Sequence, residues 1–399
     1  MVKRRNPLAR KLPLATGTSS TSIGQRFDPR KNSLNFLRLV FALLVLVGHA
    51  ATLGGYSWQL WLIHSPLQDV AVNGFFAISG YLITASALRS NTVRYLWQRL
   101  LRIFPGYWVC LVTIAFGFGI VGWLHGHANL SGYFGGPNGA VQYVVGNADL
   151  RIAHYAINGS PAHVPYQGAW NGSIWTLEWE FLCYLIVGAL ALVGLLRRRP
   201  LVIALLLDVW ALEALHLASP HFGALRMSRV LVHLADHASE LRFVPIFLAG
   251  ALVYLYKHKL PDSTVLLAAF LAFFVVGCAV SRNGGDFVGP LLAYPCIWAG
   301  AHLPFERVGA KNDLSYGIYI YAWPISQLFA VWGVNRWGSV PYVVLILVAT
   351  FAFAAASWTL VEKQGLKMKC WSPGHGRTRS EPVPAAAMGG SVSEQQVAV

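Results

Sequence analysis

The chain has 399 residues, 55% of them hydrophobic and only 12% charged, with a formal net charge of +15. Soluble domains carry roughly 25% charged residues, so a water-soluble enzyme is excluded and a polytopic membrane protein is indicated. The positive charge reads as membrane topology, with no nucleic-acid partner, because Lys and Arg cluster in short segments between apolar runs.

Residues 1–33 hold eight Lys and Arg with Ser, Thr and Pro between them. They read as a flexible basic cytoplasmic arm attracted to anionic lipid, and not as a signal peptide, since they are polar and precede the first apolar run. Ten spanning stretches follow by apolar length, near 34–53, 70–88, 104–123, 175–196, 201–218, 242–256, 264–280, 287–303, 315–334 and 341–361. With the N-terminus inside, 24 of the 31 Lys and Arg fall in inner segments. The expected fold is therefore an all-α integral membrane bundle of about ten transmembrane helices with both termini cytoplasmic. The membrane domain covers 34–364, and the Pro-, Gly-, Ser- and Ala-rich stretch 365–399 reads as a disordered cytoplasmic tail. Four of the five cysteines lie in apolar runs without paired spacing, which implies neither a disulfide framework nor a metal site.

The first span, Leu34 to Leu53, carries two residues foreign to a simple anchor, Arg38 and His49. They are eleven positions apart, so they share one helix face and lie about 16 Å apart along the axis. Ionisable groups in spans usually face a protein interior or a wet cavity. Taken singly, Arg38 also suits a side chain reaching to lipid phosphate, and His49 a buried histidine satisfied by a neighbour. Together they suggest a polar stripe with a group suited to proton transfer near neutral pH.

Within the second span, Asn73 to Tyr81 reads NGFFAISGY. Gly74, Ser79 and Gly80 permit close helix approach, a reading that outweighs Ser79 as a nucleophile. Next comes Arg99-Leu-Leu-Arg102-Ile-Phe-Pro105-Gly-Tyr107-Trp108, where Pro105 suits the first turn of the third helix. Arg99 and Arg102 lie one turn apart on the inner side. They serve the positive-inside bias, or they cradle a polyphosphorylated ligand, whose oxygens Arg forks match. Segment 124–174 is the longest connection, on the outer side, and loops this long are often functional. At its end, Asn171 to Tyr184 reads NGSIWTLEWEFLCY. Glu178 and Glu180 are about 200° apart around the helix, so one of them faces inward, where it would approach His49 at the outer level. The stretch 219–240 holds a candidate amphipathic helix near Met227 to His237. Leu314 to Pro324 enters the ninth span, and Glu362 ends the tenth, in reach of inner Arg residues.

These motifs, in this order, resemble the acyltransferase-3 family of integral membrane O-acyltransferases over about residues 33–364. The likeness lies in Arg38 and His49 on the first helix, Phe75 to Tyr81, Arg99 to Trp108, Trp175 to Glu180 and Ser315 to Pro324. The resemblance implies transfer of an acyl group, usually acetyl, from cytoplasmic acyl-CoA as co-substrate, with no permanently bound cofactor. It implies His49 as catalytic base or acyl carrier, Glu180 rather than Glu178 as its acidic partner, and Arg38, Arg99 and Arg102 as donor-binding residues. The acceptor would be a hydroxyl of a bacterial cell-surface carbohydrate, reached from the plasma membrane. A small-metabolite acceptor such as an antibiotic remains an alternative, as does a transporter or flippase, for which no internal repeat speaks. Family members often place His before the Trp-Pro of the ninth span; here that position is Ala322.

Overall fold

The computed structural model describes residues 21–218, 241–280 and 284–370. In chain order its main helices are α1 (Leu34–Gly54), α2 (Leu67–Ala87), α3 (Thr92–Gly126), the short α4 (Ala140–Gly146) and α5 (Thr176–Leu192). There follow α6 (Arg199–Ala218), α7 (Phe243–Tyr256), α8 (Thr264–Val280), α9 (Ala293–His302), α10 (Ser315–Val331) and α11 (Ser339–Lys367). Among the described residues the only strands are Trp61–Leu62 and Ser65–Pro66, an antiparallel ribbon between α1 and α2. Four helices, α1, α2, α3 and α11, are long and apolar enough to cross a membrane, and α7 and α8 are shorter apolar helices. The protein is thus a helical membrane protein.

Helix α10 is its centre. Every residue from Ser315 to Val331 except Phe329 is buried, with α1 on one side and α11 on the other. Helix α2 packs between α1 and α7, and small residues set that spacing. A Cβ at Gly80 would collide with the carbonyl oxygen of Phe247, and one at Gly250 with that of Ala77. On α1, the Phe41 ring fills the space a Cβ of Gly74 would take. These close approaches are the role expected of the glycines in the second span.

Three boundaries differ from expectation. The basic stretch before the third span is itself helical: Asn91 caps α3 by accepting the Arg94 amide at 2.8 Å, and its apolar residues Tyr95, Leu101 and Ile103 are buried. Pro105 consequently lies in the helix interior, not in a first turn. Residues 21–33 are docked rather than free. Ile23 and Phe27 are one turn apart and buried, the amides of Ile23 and Gly24 bond the carbonyls of Leu260 and Lys257, and Ser33 Oγ donates to Leu303 at 2.6 Å. Helix α11 continues past 364 to Lys367. The first 20 residues of the arm, the candidate helix at Met227 to His237 and the tail from 371 lie outside the described residues.

The long segment 124–174 is a folded cap. Trp170 is fully buried against Gly122, and the hydroxyls of Tyr107 and Tyr133 donate to the carbonyls of Asn147 and Ala115, each at 2.6 Å. Its last residues lead directly into α5, and so into the site.

Candidate functional site

The Arg38 end is built on one carboxylate that the sequence reading passed over. Asp313 stands two residues before α10. Its Oδ1 accepts the Ser315 hydroxyl at 2.6 Å and the Ser315 amide at 3.3 Å, as acidic residues at helix starts do. Its Oδ2 receives Arg38 Nη1 at 2.7 Å and Arg102 Nη2 at 2.6 Å. Burial by itself would raise the Asp313 carboxyl, but the two guanidinium groups and the Ser315 donors outweigh it and hold the acid well below the usual carboxylate range. Arg102 also lies 3.9 Å from Glu362, a buried residue whose other oxygen accepts from Ser357 at 3.0 Å. Asp313 thus joins α1, α3 and α10, and Arg102 extends the cluster to α11.

Arg99 is held differently. Its guanidinium carbon lies 5.9 Å from the ring centres of both Tyr95 and Tyr184, and its buried Nε has no hydrogen-bond partner. Among the described residues it forms no ion pair. The residue is half-buried and opens on a cavity of about 330 Å³ that Arg38, Arg94, Arg102 and Lys369 also line. Among the described residues no carboxylate lines that cavity. The indole of Trp97 bonds the Met368 carbonyl at 3.0 Å and so ties the end of α11 beside it. Five cationic side chains line one hollow, Arg38 and Arg102 of them paired with Asp313, a charge balance that can hold an anion.

A second, smaller cavity of about 40 Å³ adjoins at Arg38 and runs between α2, α5 and α10. Glu180 lines it. Glu180 Oε1 accepts from Ser79 Oγ at 3.1 Å and from the Tyr184 hydroxyl at 2.5 Å. Both donors also line the cationic cavity. Glu180, expected to orient the His49 imidazole, sits one turn into α5 and accepts hydrogen bonds from Ser79 of α2 and from Tyr184 of α5. Ser79 serves this bond rather than chemistry of its own.

His49 lies five residues before the end of α1. Its ring meets Trp323 edge to face, with centres 4.8 Å apart, and its Nδ1 is 3.4 Å from Ser173 Oγ. Among the described residues no carboxylate hydrogen-bonds it. Arg38 and His49 do share a stripe, since Ser315, Tyr319 and Trp323 of α10 run beside it at intervals of one turn. Ser315 and Tyr319 line the smaller cavity with Arg38, and Trp323 reaches His49.

A proline explains how Ser173 arrives there. Pro324 inside α10 has no N–H for the Ile320 carbonyl, and a buried carbonyl needs a donor. Asn171 Nδ2 supplies one at 2.9 Å, and the Cys110 thiol a second at 3.4 Å. Asn171 then accepts the Ser173 amide at 3.1 Å. Gly172 between them is required because the Trp323 ring occupies the place of a Cβ. Tyr319 completes the mount: its hydroxyl shares a 2.6 Å bond with Thr176 and donates to the Ser173 carbonyl at 3.1 Å. The Asn-Gly-Ser sequence was legible as a motif, but attention to Glu178 and Glu180 hid its serine. The signal was a hydroxyl just ahead of a helix start, in a motif with a polar residue at each end.

Comparisons with known proteins bear on the family of the chain. Residues 31–359 match the family model of the acyltransferase-3 acyltransferase domain. The chain is similar to an O-acetyl transferase of Shigella phage Sf6, 30% identical over 84% of this chain and 96% of that protein. It is also similar to nodulation protein 10 of Rhizobium leguminosarum bv. viciae, 28% identical over 85% of this chain and 94% of the relative. No solved structure matches.

Proposed function

This chain belongs to the acyltransferase-3 family, and from that premise we propose that it carries an acyl group, acetyl by preference, from cytoplasmic acyl-CoA to a hydroxyl of a cell-surface carbohydrate. The chain is an acyltransferase and performs O-acyl transfer; donor and acceptor are the proposal. One observation carries it above the rest: a cavity lined by five cationic side chains, Arg99 among those without an ion pair, adjoins at Arg38 a smaller cavity lined by Glu180 and Tyr319.

In this reading the phosphates of the donor bind Arg94, Arg99 and Lys369, none of which forms an ion pair among the described residues. Arg38 and Arg102 keep Asp313 and complete the positive rim. The thin pantetheine-like arm enters the smaller cavity, where the Glu180 carboxylate accepts an amide N–H of the arm. The thioester then lies near His49, which takes the proton of the attacking hydroxyl. Trp323 holds the imidazole ring in place. The acceptor comes from the folded cap, on the opposite side of the membrane from the donor. Ten spans, cytoplasmic termini and a place in the bacterial inner membrane complete the proposal.

The test is chemical. Purified protein in lipid discs is given labelled acetyl-CoA with surface glycan or with extracted small metabolites. An O-acetylated glycan supports the acceptor class. A label found only on a metabolite replaces the acceptor, and no use of acetyl-CoA at all removes the donor.

A further inference from the structure

Resting on the reading above, we propose that Ser173 is the nucleophile of this acyltransferase and carries the acyl group between donor and acceptor. Four observations converge on its hydroxyl. Ser173 is 2% exposed and its Oγ faces His49 Nδ1 at 3.4 Å, the ring nitrogen in reach of its proton. Nucleophile–base contacts of this kind lengthen when no substrate is bound and tighten in the reacting complex. The residue stands three positions ahead of α5, on the approach to the positive end of that helix. Its backbone is fixed at both ends, by Asn171 on the amide and by Tyr319 on the carbonyl, a rigid mount of the type that chemistry requires. Finally, Glu180 is occupied with Ser79 and Tyr184, so the hydroxyl is the polar partner the fold gives this imidazole.

The steps balance. Ser173 Oγ attacks the thioester carbonyl as its proton passes to His49 Nδ1. The carbon–sulfur bond breaks, and the proton moves from His49 to the departing thiolate, which leaves as free CoA. An acceptor hydroxyl then attacks the acyl-serine ester while His49 removes its proton. The ester carbon–oxygen bond breaks and His49 returns the proton to Ser173 Oγ. Nothing is oxidised or reduced, and no further reactant is needed. An ester on Ser173 also lets donor and acceptor use the site in turn, each from its own side.

The experiment is acceptor-free labelling of the full-length protein in lipid discs with [14C]acetyl-CoA, followed by peptide mass spectrometry. The wild type is expected to gain an acetyl group on Ser173 and to release an equal amount of CoA. Ser173→Ala should lose that label and at least 1,000-fold in transfer, on the order expected when a nucleophile is removed. Ser173→Cys should form a thioester cleaved by neutral hydroxylamine, which a merely structural serine would not yield. Transfer by Ser173→Ala within a few-fold of wild type overturns the proposal, as does a label on His49 instead. If wild-type protein uses no acetyl-CoA, the functional reading itself has failed. If it transfers acetyl normally but never labels Ser173, that reading stands and the nucleophile is wrong.

Discussion

Arg99 differs from its neighbours in lacking a carboxylate, and this separates the roles of the three arginines. Removal of Arg38 or Arg102 strips a partner from Asp313 and disturbs the fold as well as the donor. Removal of Arg99 touches two tyrosine rings and an open cavity. Arg99→Gln is therefore expected to raise the KM for acyl-CoA about 10- to 100-fold, the equivalent of one charge-assisted hydrogen bond, with kcat nearly unchanged. Steady-state kinetics with varied donor decide this, and an unchanged KM would reduce Arg99 to a topology signal. His49 and the arginines were legible because ionisable groups stand out in apolar runs. Asp313 was not, because it lies between spans, where a carboxylate is ordinary. Only its place before the Ser315 helix start marked it.

At the scale of elements, two helix junctions hold the site. The first is the Asp313 turn. Asp313→Asn weakens two half-buried charge-assisted bonds and is expected to cost about 1.5–3 kcal/mol, read as a lower unfolding temperature in detergent. The acid's depressed pKa also has a sign. Its stabilisation is present above its ordinary value near 4 and is lost as pH falls below that. The wild type should lose stability below about pH 4 more steeply than Asp313→Asn, and parallel acid curves would contradict the charge pairing. The second junction is the Pro324 kink. Asn171→Ala orphans the Ile320 carbonyl and should cost about 1–3 kcal/mol, while transfer falls further than donor affinity because Ser173 loses its mount. Equal losses in both would make Asn171 a stability residue alone. Sequence periodicity located both helices. It did not reveal that a proline in one and an asparagine in a distant loop were partners, since hydrogen bonds 149 residues apart leave no local pattern. Pro105 misled for the opposite reason: a local rule placed it at a helix start, whereas burial of Tyr95, Leu101 and Ile103 carried α3 back to Thr92.

Over the whole molecule, the polar residues sort along α1 and α10 from a cationic hollow to a histidine under a folded cap. Composition was enough to give a helical membrane protein, and the order of motifs gave its family. The partners of Glu180 were not available, because they depend on which turn of α5 faces which turn of α2. The cationic hollow makes a further demand. Raising ionic strength should weaken donor binding, since screening shortens from about 10 Å at 0.1 M salt to 3 Å at 1 M; binding indifferent to salt would mean that phosphates are not held there. The central claim is that anion binding and acyl transfer are done at two ends of one path. The direct measurement is the dissociation constant of acetyl-CoA for His49→Ala, taken beside its transfer rate. The account predicts donor affinity within about threefold of wild type with transfer abolished. Transfer at the wild-type rate by a folded His49→Ala protein would contradict it.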